Sequence, residues 1–575
     1  MRFGVLALSI LFTSTALLFG HCCAREVIGG PEYPIDVTAQ NYTDDEGTLF
    51  QGFLSIPNNS GSAPDDGFPA VVILHDSSGA DRYEQQRATM IAQELGYVGF
   101  AADMYGVFTQ VPATNFFNPQ SEYQIFLRQY TSNQTFFAKR IRAAVDFVKT
   151  LDVVDSKRVA LVGYCFGGTG VIQYLNVGEN GASAGAVSIH PSLPPGTPGL
   201  AANITPPVLV LTGGKDFLTS PMSMIALEGN LNGAQATWET TRYAGVNHAW
   251  TNWFNPSYDE AADSRSWQSM ASFLDSQFSE TDYNNEPPTA ISVQGVTYTD
   301  KSDNNFSFQG YLSVPEDVCK ENPAPAVVII HDMDGPTLYE KQRATHIADE
   351  TGYITFVADI FGSDAMKNTE NAFESKAQLY LENKELFVSR IQAAIDFIRS
   401  HELVDSDNIS LVGFSFGGTG SIYYSLIGNT SEVKSIVSFH ASLDSGLPEA
   451  KTINPEVQIL ILSGGEGDDI TDINFLESVY IAQNAQYEIS RFSNAQGGFT
   501  VWNSTNYNVR ASTRSFDSMQ MIFEEVFNTT ETPKKPCLSK NVTGEEPESG
   551  VVTPFTGGFS LSLIGLSVVI SNIFF

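Results

Sequence analysis

Two stretches of this chain carry matching text in matching order, and that duplication limits the folds open to it more than any other feature. FQGFLSIP at 50–57 returns as FQGYLSVP at 308–315, and PAVVILHD at 69–76 returns as PAVVIIHD at 325–332. EQQRATMIAQELGY is matched by EKQRATHIADETGY, and DFVKTLDVVDS by DFIRSHELVDS. So much ordered agreement means one unit written twice. A chain of 575 residues exceeds one ordinary core, and two units of roughly 250 residues each are large enough to bury their own.

Within each unit, short apolar runs alternate with amphipathic segments. In the first, Ile35 to Ile56 alternates apolar and polar residues about an acidic turn and reads as a hairpin. Pro69 to His75 is a continuous apolar run of strand length, the mark of a strand covered on both faces. A helix over Arg82 to Leu95, a strand over Tyr97 to Asp103 and a helix over Phe136 to Thr150 follow. That last helix carries Ile141, Ala144, Val145 and Val148 on one stripe. Strands at 159–163, Ala184 to His190 and Pro207 to Thr212 and a closing helix near Ser264 to Phe278 complete the unit. Such alternation specifies an α/β fold, a mostly parallel, doubly wound sheet with helices on its faces, here twice in tandem.

The stretch VALVGYCFGG, Val159 to Gly168, runs a buried strand into a tight turn bearing Cys165 between Gly163 and Gly167. Glycines there let a strand reverse into a helix with a nucleophile at the bend. A thiol used in this way needs a base, and the base needs an acid to orient it. Folds of this class place them in the order nucleophile, acid, histidine. Asp216 in TGGKD and His248 in RYAGVNHAW satisfy that order. The oxyanion formed on attack would be held by the backbone N–H groups of Phe166, after the nucleophile, and Ser77, after the third strand.

With GYCFGG, TGGKD, His248 and the carboxylate of Asp76 in these places, the sequence resembles the dienelactone hydrolase family of α/β-hydrolases over both repeats. The resemblance implies a Cys165–His248–Asp216 triad that cleaves an ester or lactone, and a carboxylate at Asp76 that helps activate the thiol. Family members acting on small carboxylated lactones hold the carboxylate with arginines, one of them four residues after the histidine. Asn252 stands there, so the dienelactone substrate is not carried over. No metal or organic cofactor is implied, because the histidines are scattered along the sequence and no dinucleotide glycine pattern opens a helix. The expected partner is a small ester or lactone. The alternative is a non-catalytic surface protein made of degenerate hydrolase domains, since a free thiol in oxidising surroundings is exposed to oxidation.

The second copy keeps the turn, as GFSFGG around Ser415, and loses the base. Aligning RYAGVNHAWTNW with RFSNAQGGFTVW sets Gly497 opposite His248. Asp468 or Asp469 stands where Asp216 does, but an acid without an imidazole cannot take a proton from a serine. The second copy is therefore expected to be inactive. His75 pairs with His331 and His190 with His440, so these four belong to the shared scaffold.

Charge and termini set the expected surroundings. There are 65 acidic and 31 basic residues, a net charge of -34, which repels phosphate backbones and excludes nucleic acid as a partner. Arg2, the apolar run Val5 to Phe19 and the small residues by Ala24 read as a secretory signal over residues 1–24. Ten glycosylation sequons fit an extracellular or cell-surface chain: Asn41, Asn58, Asn133, Asn203, Asn305, Asn408, Asn429, Asn503, Asn528 and Asn541. The repeats then occupy 25–280 and 291–528, joined by an acidic, proline-ended linker at 281–290. A stalk at 529–550 follows, and 551–575 is a spacer, Val551 to Gly558, and an apolar run, Phe559 to Phe575, preceded by the small residues Ser549 and Gly550. This is the layout of a GPI signal attached at Ser549, with a membrane-spanning tail as the other reading. Removal of Cys22 and Cys23 with the signal leaves Cys319 and Cys537 to pair as a disulfide and Cys165 as a free thiol.

Overall fold

The structure is a computed structural model that describes residues 33–58, 64–112, 118–193, 204–279, 292–301, 303, 306–362, 372–444 and 446–527. The signal, linker, stalk and tail segments, Cys537, Ser549, Asn203, Asn305, Asn528 and Asn541 lie outside the described residues.

The first half runs β1 (Thr38–Thr43), β2 (Leu49–Ser55), β3 (Phe68–Leu74), α1 (Arg82–Glu94), β4 (Val98–Ala102), α2 (Glu122–Thr131) and α3 (Gln134–Lys149). It continues with β5 (Val154–Tyr164), α4 (Phe166–Asn176), β6 (Gly185–Ile189), β7 (Val208–Gly213), α5 (Pro221–Gly233), β8 (Trp238–Tyr243) and α6 (Glu260–Phe278). After the antiparallel β1–β2 hairpin and the antiparallel β2–β4 pair, β4, β3, β5, β6, β7 and β8 are parallel neighbours.

Burial explains the apolar runs. Every residue of β3 is buried, and its side chains alternate between two cores. Ala70, Val72 and Leu74 pack with α3 and α4, and Val71 and Ile73 pack with α1 and α6. A strand buried on both faces has no polar side to show, so its sequence does not alternate.

The second half repeats this order as β9 (Gln294–Asp300), β10 (Phe306–Ser313), β11 (Ala324–Ile330), α7 (Leu338–Thr351), β12 (Ile354–Ala358), α8 (Ala372–Glu382) and α9 (Lys384–Arg399). Then come β13 (Val404–Phe414), α10 (Phe416–Ile427), β14 (Ser435–Phe439), β15 (Gln458–Gly464), α11 (Ile470–Ala482), β16 (Gln486–Phe492) and α12 (Val509–Phe527).

The halves do not stand apart. β8 and β16 pair antiparallel through Glu488–Tyr243 to Phe492–Glu239, which fuses the two sheets into one of 16 strands among the described residues. The strands β8 and β16 and the helices α2 and α5, with their second-half counterparts, were not expected from the sequence. α3 also begins at Gln134, capped by the Asn133 side chain, rather than at Phe136.

Among the described residues, no helix is long and apolar enough to cross a membrane. The described sequon asparagines Asn41, Asn58, Asn133, Asn429 and Asn503 are exposed, and Asn408 is half-buried.

Candidate active site

Cys165 sits between the end of β5 and the start of α4 with φ 55° and ψ -110°. A non-glycine residue in this region costs on the order of 1–3 kcal/mol and persists only where its surroundings hold it. The hold is steric and specific. A Cβ on Gly163 would lie 2.2 Å from the Gly167 carbonyl oxygen, and one on Gly167 would lie 2.3 Å from that of Leu74. Strand and helix approach so closely that only glycine fits, and Cys165 is thrust out at the bend. Ser415 has the same backbone, with φ 53° and ψ -111°.

Three elements meet at the thiol. His248, on the loop after β8, brings Nε2 to 3.0 Å from the Cys165 sulfur, and its Nδ1 lies 2.9 Å from Asp216 Oδ2. Asp216 follows β7, and its Oδ1 accepts from the Leu218 amide at 2.8 Å. Burial alone would lower the pKa of His248. The Cys165 sulfur and the Asp216 carboxylate override it and push it up to about 10, so the ring keeps its proton beside the sulfur. The arrangement can hold a protonated imidazole between the Cys165 sulfur and an orienting carboxylate.

Ser77 is fixed from outside: its carbonyl accepts from the Tyr105 hydroxyl at 3.0 Å and its hydroxyl from that of Tyr123 at 2.5 Å. Phe166 opens α4, so its N–H belongs to the helix's unpaired first turn. Asp76 does not bond the thiol. One oxygen accepts from the amide and hydroxyl of Ser78, and the other takes the Asn252 amide at 2.8 Å. Asn252, read from the sequence only as the absence of an arginine, is thus the group that draws Asp76 aside.

Although scattered in the sequence, two histidines and the thiol converge: the ligand atoms of Cys165, His190 and His248 lie within 4.8 Å of one another. Hydrogen bonds account for part of the set, and His190 Nδ1 is buried with no hydrogen-bond partner. His248 uses both nitrogens, and His190 Nε2 lies 2.8 Å from Thr251 Oγ1 with its ring edge-on to His248. Burial, then the neighbouring His248, lowers the His190 pKa well below its ordinary value. It is a neutral wall behind the base.

The second site differs at the positions of Cys165, Asp216 and His248. A Cβ on Gly497 would meet nothing within 4 Å, and the residue lines a cavity of about 200 Å³ with Ser415, His440 and Asp468. Asp468 turns its carboxylate back onto the Ser463 hydroxyl and the Gly464 amide, both at 2.8 Å. Asp469 caps α11 through Thr471. Asp332, the counterpart of Asp76, accepts from the Phe416 amide at 3.4 Å and hydrogen-bonds Ser415. His440 Nε2 is engaged by Thr500 at 2.8 Å, and burial lowers its pKa to about 3. His331 is held by its own loop, with Nδ1 2.6 Å from the Asp332 carbonyl oxygen and Nε2 taking the Ile360 amide. Cys165 is a free thiol, Cys319 is disulfide-bonded, and Cys537, its expected partner, lies outside the described residues.

Comparison with known proteins agrees with this architecture. The sequence model of the Dienelactone hydrolase family matches residues 50–278 and again 308–527. The chain belongs to that family and is a hydrolase in two tandem copies of its fold. It is 24% identical over 245 residues to the "Putative carboxymethylenebutenolidase" of Salmonella typhimurium, covering 39% of this chain and 87% of that one. The protein of the same name from Escherichia coli is 24% identical over 257 residues, covering 41% and 90%. Among solved structures, a dienelactone hydrolase-like promiscuous phosphotriesterase from metagenomic libraries is 25% identical, with a TM-score of 0.37 over 42% of this chain and 99% of that one.

Proposed function

We propose that the first half hydrolyses an uncharged carboxylic ester or lactone by acyl transfer through Cys165, and that the second half is catalytically silent. The observation that carries this reading is the Cys165–His248–Asp216 chain of contacts at 3.0 Å and 2.9 Å.

The Cys165 sulfur attacks the carbonyl carbon, and the electron pair of the carbonyl bond moves onto its oxygen, toward the amides of Phe166 and Ser77. When that pair returns, the carbon–alkoxy bond breaks. His248 gives its proton to the departing alkoxide, leaving an acyl thioester on Cys165. Water then attacks the thioester, His248 takes the water's proton, and the carboxylic acid and the free thiol are released. Asp216 keeps the ring in the tautomer and orientation that both transfers need.

The substrate class follows from Asn252 and Asp76. A carboxylated substrate would meet an anionic side chain held by a neutral amide, with no arginine at that position. Silence of the second half follows from its missing imidazole, its redirected acid and the Asp332 carboxylate on the Phe416 amide, where an oxyanion would have to sit.

An electrophilic ester probe tests the centre. Labelling is expected in the intact protein and in Ser415→Ala and is expected to vanish in Cys165→Ala and His248→Ala; equal labelling of Cys165→Ala overturns the reading. The sequons exposed at the surface support a glycosylated, secreted chain held at the membrane by its C-terminal tail. Glycosidase treatment is expected to lower its apparent mass, and phosphatidylinositol-specific phospholipase to release it from membranes; retention in the pellet would favour a spanning tail.

A further inference from the structure

The seam between the halves reaches the catalytic acid. Arg242, on β8, is buried, and its Nε donates to Glu477 Oε1 of the second half at 2.7 Å. Its Nη1 donates to the Thr212 hydroxyl and to the Thr219 carbonyl, both at 3.3 Å. Thr219 closes the turn that begins at Asp216: its amide donates to the Asp216 carbonyl at 3.1 Å, and its hydroxyl to the Pro191 carbonyl at 2.6 Å.

The same Glu477 oxygen accepts from the Tyr487 hydroxyl at 2.8 Å. Tyr487 packs over Gly214, two residues before Asp216, where a Cβ would meet its hydroxyl oxygen at 2.3 Å. Two side chains of the silent half therefore bear on both ends of the loop that carries the acid of the other half.

We propose that Glu477 is a positioning residue for the reaction at Cys165: through Arg242 it fixes the 213–219 loop so that Asp216 meets His248 Nδ1. The proposal rests on the reading of Cys165, His248 and Asp216 as the reaction centre. An ion pair this deeply buried is costly to break from one side, because the partner charge is left unpaired, and the strain passes to whatever that partner holds. Here the partner holds the acid loop.

The duplication supplies the control. Glu228 and Glu477 occupy corresponding positions of α5 and α11, and Glu228 Oε2 takes Arg491 Nε at 3.0 Å in the mirror-related pair. Arg491 in turn donates to the Ser463 hydroxyl at 2.7 Å and the Asp468 carbonyl at 3.1 Å. Both pairs belong to the same interface and are equally buried, but one braces the working loop and the other its inert copy. A purely structural role predicts equal consequences for the two; a positioning role predicts unequal ones.

The experiment uses the full-length protein and hydrolysis of a p-nitrophenyl ester, first shown to be lost in Cys165→Ala. Glu477→Gln is expected to lower kcat at least tenfold with KM nearly unchanged. It should also move the alkaline limb of the rate profile to lower pH, because a misplaced Asp216 no longer supports the His248 imidazolium. Glu228→Gln is expected to lose a similar amount of thermal stability and to keep kcat and the pH profile. If Glu477→Gln does not fold, Arg242→Lys and Arg491→Lys replace the pair. Lysine keeps the charge and loses the fork, and only the first is expected to lower kcat. Equal kcat effects within either pair, or none, overturn the brace. Activity that survives Cys165→Ala overturns the reaction centre instead.

Discussion

At the scale of single residues, the imidazole is the group whose surroundings do most. His248 is pushed up to about 10 by Cys165 and Asp216 against the pull of burial, so the imidazolium is expected to persist until pH rises through that value. Removing the Asp216 charge takes away a contribution that raises the pKa. Asp216→Asn is therefore expected to move the alkaline limb of kcat/KM to lower pH and to cut the rate by roughly 10²–10⁴-fold, since the ring also loses its orienting partner. An unchanged limb would mean that the acid does not act on the ring. A second prediction concerns Asn252, whose place in the second copy is taken by Val501. Asn252→Val frees Asp76 to turn onto the nucleophile turn as Asp332 does, and kcat is expected to fall by at least tenfold while the fold is retained. A variant with wild-type kcat would show that the asparagine only fills space. The meeting of Cys165, Asp216 and His248 was legible from their order along the chain. The redirection of Asp76 was not, because its cause is a contact between residues 176 positions apart.

Among elements, the strand-to-helix turn was the most legible and β8 the least. GYCFGG reads as a bend because the glycines are required by contacts within a few residues of chain, plus carbonyls at the ends of β3 and β6. Gly167→Ala is expected to destabilise the first half by about 1–3 kcal/mol through the forced approach to the Leu74 carbonyl, read as a lowered midpoint in thermal melting. A variant melting like the wild type would mean that the turn has room to relax. β8, in contrast, reads WETTRY, with four charged or hydroxyl side chains in its middle, and no periodicity in it announces a core strand. All six residues are nonetheless buried, because β16 lies against it while α11 and α12 of the second half supply partners for Arg242 and Glu239. Its polarity is satisfied by the other copy and is unreadable from one copy alone.

On the scale of the whole molecule, the duplication does more than double the fold. An edge strand with buried polar groups and unpaired backbone is a liability when free. Here each copy covers the other's edge through ion pairs: Arg242 with Glu477 and its match Arg491 with Glu228, and also Arg514 with Glu239 and Arg265 with Glu525. The second copy is thus a permanently tethered partner for the first.

One member of this seam titrates near neutrality. Glu488 is pushed up to about 7, by burial first, opposed by Arg265 and reinforced by Glu525 and Glu239. A carboxyl whose folded pKa lies above its ordinary 4.5 contributes stability that is complete below that value and lost as pH rises through about 7. Melting temperature is therefore expected to fall over this window and to fall less in Glu488→Gln; equal slopes would place the effect elsewhere.

One reaction centre in a chain with two elbows is the proposed arrangement, and counting acyl groups tests it directly. Pre-steady-state titration of the full-length protein with an activated ester is expected to release one leaving group per chain in the burst, with the acyl group on Cys165. Ser415→Ala is expected to leave the burst intact and Cys165→Ala to abolish it. A burst of two per chain, or an acyl group recovered on Ser415, would contradict the account.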